Sequence, residues 1–155
     1  MKKQIKLLLV IVLTLVVVAF AFAGCEKPQG NEGEVSVTLI LANGEEILFS
    51  KEYVTDGAFL KDLVLLADEE ENISFNIEDS QWGAFINSFS YEGVVYGNPE
   101  AGEYIGLYTS LADINYIDIV YMQPIVLEDI VYNAAGLGIS ELPLFADATY
   151  IIYLA

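Results

Sequence analysis

The chain has 155 residues, with 23 acidic and six basic side chains, no histidine and a formal charge of −17. All six basic residues are lysines, so the cationic surface that nucleic-acid binding needs to displace counterions is missing. Ser-His-Asp and Cys-His nucleophile chemistry, His-ligated zinc and a phosphate-binding G-x-x-x-x-G-K-[ST] loop are excluded on the same residues.

Taken from the amino terminus, the chain opens with an address. Lys2, Lys3 and Lys6 form a positive n-region, and Leu7 to Ala23 is apolar throughout except for Thr14. This is the pattern of a signal peptide. An uncleaved span is the alternative, because a run of roughly 17 residues sits at the lower limit for crossing a bilayer. Phe22-Ala23-Gly24-Cys25 resembles the bacterial lipobox, in which small residues precede a cysteine that receives a diacylglyceryl thioether. The resemblance implies cleavage before Cys25, the only cysteine in the chain, and lipid attachment to its sulfur. The predicted organisation is a signal peptide over 1–24, a lipidated cysteine and flexible tether over 25–34, and one domain over 35–155. The predicted location is the outer face of a bacterial cell membrane.

Removing residues 1–24 removes three lysines and no acid, leaving three basic against 23 acidic side chains and a charge of −20. Anionic headgroups repel such a surface, so anchoring rests on the acyl chains, each buried methylene contributing about 0.8 kcal/mol. Glu26 to Glu34 is polar and holds Pro28, Gly30 and Gly33; nine flexible residues of this kind span on the order of 16 Å.

The folded part begins with two alternating segments, 35–42 and 46–54, around Asn43-Gly44, a dipeptide whose residues tolerate positive φ in a hairpin. Val35, Val37, Leu39 and Leu41 share one face of the first strand. Thr55-Asp56-Gly57 offers an N-cap for a helix over roughly 58–70, with Phe59, Leu63, Leu66 and Ala67 on its packed face. Ile73, Phe75 and Ile77 alternate as a third strand. Ser80 to Gly83 reads as a turn, Ala84 to Tyr91 as a strand, and Glu92-Gly93 as a turn into a strand ending at Tyr96. A loop over 97–102 follows. Strands are predicted at Tyr104 to Leu111, Ile117 to Tyr121 and Thr149 to Leu154, with Gln123 to Gly138 mixed and Ile139 to Pro143 a bend. Hairpin, helix and then several strands make an α+β chain. It suits a β-grasp-like fold, a curled mixed sheet packed on one main helix; an all-β sandwich is the alternative if 58–70 is not helical.

Three stretches carry a family resemblance. Asp79-Ser80-Gln81-Trp82-Gly83-Ala84-Phe85-Ile86-Asn87-Ser88-Phe89 resembles a "GAYI-x-S-I" segment, Tyr104 to Leu111 resembles a "YWxLYxSL" strand, and Gly138 to Leu144 followed by Tyr150-Ile151-Ile152-Tyr153 resembles a closing "GISxLPL…Y…Y". These are features of the transcobalamin C-terminal-like domain, a domain of unknown function common in bacterial surface lipoproteins. The resemblance covers about residues 35–155 and implies a β-grasp-like fold. It also implies a corrinoid as a candidate ligand, capped by the strand matching Tyr104 to Tyr108. Ile105 and Gly106 depart from the family's Trp and its bulkier neighbour, and the helical barrel that holds the other corrinoid face has no counterpart in the sequence.

The functional expectation is a non-enzymatic module that binds a small molecule, glycan or protein. Cys25 is the lipid-attachment residue, Trp82, Tyr104 and Tyr108 are the candidate ligand contacts, and Tyr91 and Tyr96 are further exposed-aromatic candidates. Aromatics also favour half-buried strand faces, so core and binding face are both open for Tyr104 and Tyr108, which a continuous strand would point to the same side. The second reading is a structural or assembly domain whose acidic surface meets a basic partner. Carboxylates are the remaining candidates for catalysis or metal binding, at Glu69-Glu70-Glu71, Glu78-Asp79, Asp113, Asp118 and Glu128-Asp129. None fits the calcium-loop pattern, and solvated surface acid accounts for such runs. No resident cofactor or metal is expected.

Overall fold

The computed structural model describes residues 29–81 and 83–155. The segment predicted as a signal peptide, Cys25 and Trp82 lie outside the described residues. The fold is mostly β, with strands β1 Val35–Asn43, β2 Glu46–Thr55, β3 Ile73–Ser80, β4 Gly83–Tyr91 and β5 Val94–Tyr96 in the first half. A helix, α1 (Leu60–Glu70), joins β2 to β3. Strands β6 Ile105–Thr109, β7 Ile125–Leu127, β8 Ile130–Ala134 and β9 Thr149–Leu154 complete the chain.

The strands form two sheets. One has the order β2-β1-β9-β6-β8-β7, and the other is the antiparallel set β3-β4-β5. Among the described residues β1 and β9 are the one parallel pair, running from Thr38↔Thr149 to Asn43↔Leu154. The first and last strands therefore sit side by side inside the larger sheet, and β6 pairs antiparallel on the far side of β9.

The β1–β2 hairpin is present, but its turn lies one residue later than Asn43-Gly44 suggests. Asn43 pairs with Glu46, the two loop residues are Gly44 and Glu45, and of the pair only Gly44 has positive φ, at 58°. One glycine suffices where the turn asks for left-handed backbone at a single position. Val37, Leu39 and Leu41 face the main core as the alternation predicts, with Val35 packed against it.

Helix α1 starts at Leu60 rather than 58, and its cap is not Thr55 or Asp56. Asp62, in the first turn, accepts the backbone N–H groups of Phe59 at 3.0 Å and Ala58 at 2.9 Å. Thr55 Oγ1 instead accepts the N–H of Gly57. The buried residues are Leu60, Leu63, Val64 and Ala67, spaced at i, i+3, i+4 and i+7 as one helical face demands. They pack among β1, β9, β3, β4 and the 139–148 segment. That segment is tied to the helix start: Leu60 N–H donates to the Leu142 carbonyl and Lys61 N–H to that of Ile139, each at 2.8 Å.

The tether is shorter than its composition suggests. Asn31 donates its N–H to the Ala58 carbonyl at 3.1 Å, and a Cβ on Gly30 would meet the Ala58 side chain at 2.5 Å. The chain thus touches the β2–α1 junction at residues 30 and 31.

The other face of the larger sheet carries its own core. Ile40, Ala42 and Ile151 meet Tyr108, Leu127, Tyr132 and Ala134, so the sheet curls until β7 and β8 cover the outer side of β1 and β9. Sequence periodicity treats 123–138 as mixed because nothing there signals a hairpin turn. The turn is Glu128-Asp129, two acids with φ of 49° and 65°, in a conformation that normally selects Gly or Asn. The strand predicted at 117–121 is absent: only Ile117 makes a bridge, to Ala135, and 119–124 leaves the sheet.

Candidate functional site

The curled end of the larger sheet decides where the candidate aromatics go. Tyr108 lies within β6 and is 7% exposed. Its ring meets that of Tyr153 edge-on, with centroids 5.4 Å apart, and burial pushes its hydroxyl above the usual tyrosine pKa. Tyr104 precedes β6 and is 68% exposed. The structure therefore separates the pair: Tyr108 is a wall of the second core and Tyr104 stands in solvent. Tyr96 stacks on buried Phe89 at 5.1 Å and Tyr91 tilts against Phe49 at 5.8 Å, so both serve packing.

Open clefts are present among the described residues. One, of about 520 Å³, lies at the start of α1 and is lined by Asp56, Asp62, Leu65 and Glu69. Another, of about 430 Å³, lies between the β1–β2 and β7–β8 turns and is lined by Glu45, Glu128 and Asp129. Both are acidic. Among the described residues no three carboxylate or cysteine side chains are grouped to hold a metal ion.

The two lysines of the described residues are both engaged by carboxylates. Lys51 pairs with Glu71 and with Glu70, the latter at 3.3 Å, and lies 4.5 Å from the Tyr53 ring centroid. The Glu71 hydrogen bond comes first in raising the lysine's pKa. Lys61 pairs with Asp79 at 3.1 Å. These exposed pairs contribute little to stability, but they place both lysines of the described residues against carboxylates.

Periodicity missed the surface that the fold builds around residues 116–131. Asp118 N–H donates to the Ala134 carbonyl and Gly136 N–H to that of Tyr116, each at 2.9 Å, so residues 116–118 line one flank of β8. On the other flank Ala135 N–H donates to the Leu107 carbonyl of β6. The Asp118 carboxylate then accepts the N–H groups of Val120 at 2.8 Å and Tyr121 at 2.9 Å. Those bonds, the Tyr121 one first, hold its pKa below the usual carboxylate value. Met122 packs against the second core, while Ile119, Val120 and Tyr121 are 62%, 69% and 88% exposed. An aspartate just ahead of a short apolar run ending in Gln-Pro was the available signal.

Among the described residues no helix is long and apolar enough to cross a membrane. Compared with known family models and with curated proteins, the chain matches none.

Proposed function

We propose that this chain is an extracytoplasmic lipoprotein, anchored through Cys25, whose β-grasp-like domain is a non-enzymatic binding module. The β-grasp reading is supported by a helix following the first hairpin and by first and last strands paired in parallel inside a curled sheet. The transcobalamin-like resemblance stands on its three sequence stretches. The observation that carries the binding reading is a division of labour among side chains. Polar groups suited to chemistry are committed to structure: Asp62 to a helix start, Asp118 to a turn and Tyr150 to a buried clamp. Large apolar groups suited to contact, Tyr104 and Tyr121 among them, are presented to solvent. Burial of Tyr108 favours a protein partner over a corrinoid seated on the β6 aromatics.

Anchoring would also set an orientation. Five residues separate Cys25 from Asn31, where the chain meets Ala58, which makes six steps of at most about 3.6 Å each. Asn31, on the β2–α1 junction, would then lie within roughly 22 Å of the Cys25 backbone.

Two measurements test the reading. Cys25→Ser should abolish palmitate labelling and release the protein from the cell surface; retention on the membrane would reject the anchor. Thermal-shift screening of the mature chain against glycans, corrinoids, calcium and basic polypeptides should raise the melting temperature for a polypeptide, because binding to the native state alone must do so. A shift with corrinoid alone would favour the cobalamin-like alternative.

A further inference from the structure

The edge of the larger sheet beside β8 is interrupted in a way that exposes apolar side chains on a fixed framework. Residues 116–118 and β7 lie along the same flank of β8, Asp118 reaching Ala134 and Ile125 pairing with Tyr132. Six residues, 119–124, thus bridge a gap that β8 crosses with one, Asn133. A regular strand cannot absorb the excess, and residues 119–124 must bulge from the edge. The bulge is held at its base by the Asp118 carboxylate and pulled inward at Met122. Ile119, Val120 and Tyr121 are left in solvent. Just beyond it, Val126 and Val131 are direct cross-strand partners and are 58% and 60% exposed.

An exposed apolar cluster of this kind marks an interaction surface, and electrostatics selects the occupant. Asp113, Asp118, Glu128 and Asp129 lie in the same stretch of chain, and both lysines of the described residues are already paired. A second copy brings the same acidic surface and is repelled. An anionic leaflet is repelled for the same reason. A polypeptide with apolar side chains between lysines or arginines satisfies both features, since complementary charge speeds encounter and rejects like-charged competitors.

We propose that the 119–124 bulge, with Val126 and Val131, is the docking surface for a Lys/Arg-bearing extended segment of a partner protein. This rests on the binding-module reading and locates its contact face. The probe is a labelled Lys-Val-Lys-Val-Lys-Val-Lys peptide, titrated by anisotropy into the mature chain and into an Ile119→Ser, Val120→Ser, Tyr121→Ser variant that keeps Asp118. A second variant, Val126→Thr with Val131→Thr, tests the hairpin face. The expected result is that either variant weakens binding at least tenfold with the melting temperature unchanged, and that raised salt weakens the wild-type complex. Equal affinity for a Lys-Ser peptide, or for wild type and both variants, would overturn the surface while leaving the module reading intact. Self-association in sedimentation, or vesicle binding lost in the first variant, would overturn it in favour of a second copy or a membrane. Failure of every peptide, together with no thermal shift for any ligand, would bring down both readings.

Discussion

The Tyr150 hydroxyl donates a hydrogen bond to the Pro143 carbonyl at 2.7 Å and accepts the Phe145 N–H at 2.9 Å. Tyr150 is fully buried in β9, so one side chain satisfies two backbone groups of the 143–145 segment. That segment reaches back to Ala58, whose carbonyl accepts the Leu144 N–H at 3.1 Å as well as that of Asn31. The clamp thus joins the last strand, the β2–α1 junction and the point where the chain enters the domain. Removing its oxygen orphans the buried Pro143 carbonyl and the partly buried Phe145 N–H. Tyr150→Phe should lower stability by about 1–3 kcal/mol, read as a shift of the urea midpoint at unchanged slope.

Alkaline pH should expose the same residue. Unfolded tyrosine releases its proton near pH 10, whereas burial pushes Tyr150 up to about 12. Between those values the native state holds a proton that the unfolded state has lost, so stability falls as pH rises. The contribution is complete below about pH 10 and is lost progressively towards the folded pKa. Burial also raises Tyr53, Tyr108 and Tyr132, which adds to the same slope. Urea unfolding across this range should show the decline, with a smaller slope for Tyr150→Phe.

The start of α1 depends on one carboxylate. Asp62→Ala leaves the N–H groups of Ala58 and Phe59 without the acceptor they have now, and such caps are worth about 0.5–2 kcal/mol. Asp62→Asn keeps an acceptor and should recover most of the loss. Equal destabilisation by both variants would show that charge near the helix start matters more than the hydrogen bonds.

Tyr104 and Tyr108 should separate experimentally as they do in space. Tyr108→Ala empties part of the second core, and burial of that size costs about 3–5 kcal/mol when removed. Tyr104→Ala, at an exposed position, should stay within about 0.5 kcal/mol of wild type. A ligand affinity lost with Tyr104→Ala at constant stability would establish it as a contact.

Gly97 has φ of 91°, and a Cβ there would lie 2.9 Å from the Asn87 carbonyl oxygen. Strained backbone and a collision with main chain that cannot swing aside act together. Gly97→Ala should cost at least about 1–3 kcal/mol, whereas Gly102→Ala, which meets no neighbour, should show only the backbone part.

Local chemistry made much of this chain readable. Alternation over 35–54 and 149–154, a 3.6-residue period over 60–67 and the Glu92-Gly93 turn each depend on residues close in sequence, and each element is present in the fold. The faces of β1 follow from its pleat alone. Sequence likewise determined the acidic balance and the lack of histidine and arginine, because those are counts rather than arrangements. What only tertiary structure decided was partnership. Strands β3 to β5 form a separate sheet, Glu128-Asp129 turns left-handed because the curled sheet brings Leu127 and Ile130 together, and Asp62 becomes the cap because Phe59 is held extended by its bridge to Pro143. The same holds for the candidate surface. Tyr104 and Tyr108 are four residues apart, but β6 begins between them and the β7–β8 hairpin covers only the second. Ile117 to Tyr121 has the composition of a strand, yet β8 has room for its first residue and not its last. Apolar patterning records which side chains prefer to leave water, and long-range pairing decides which of them can.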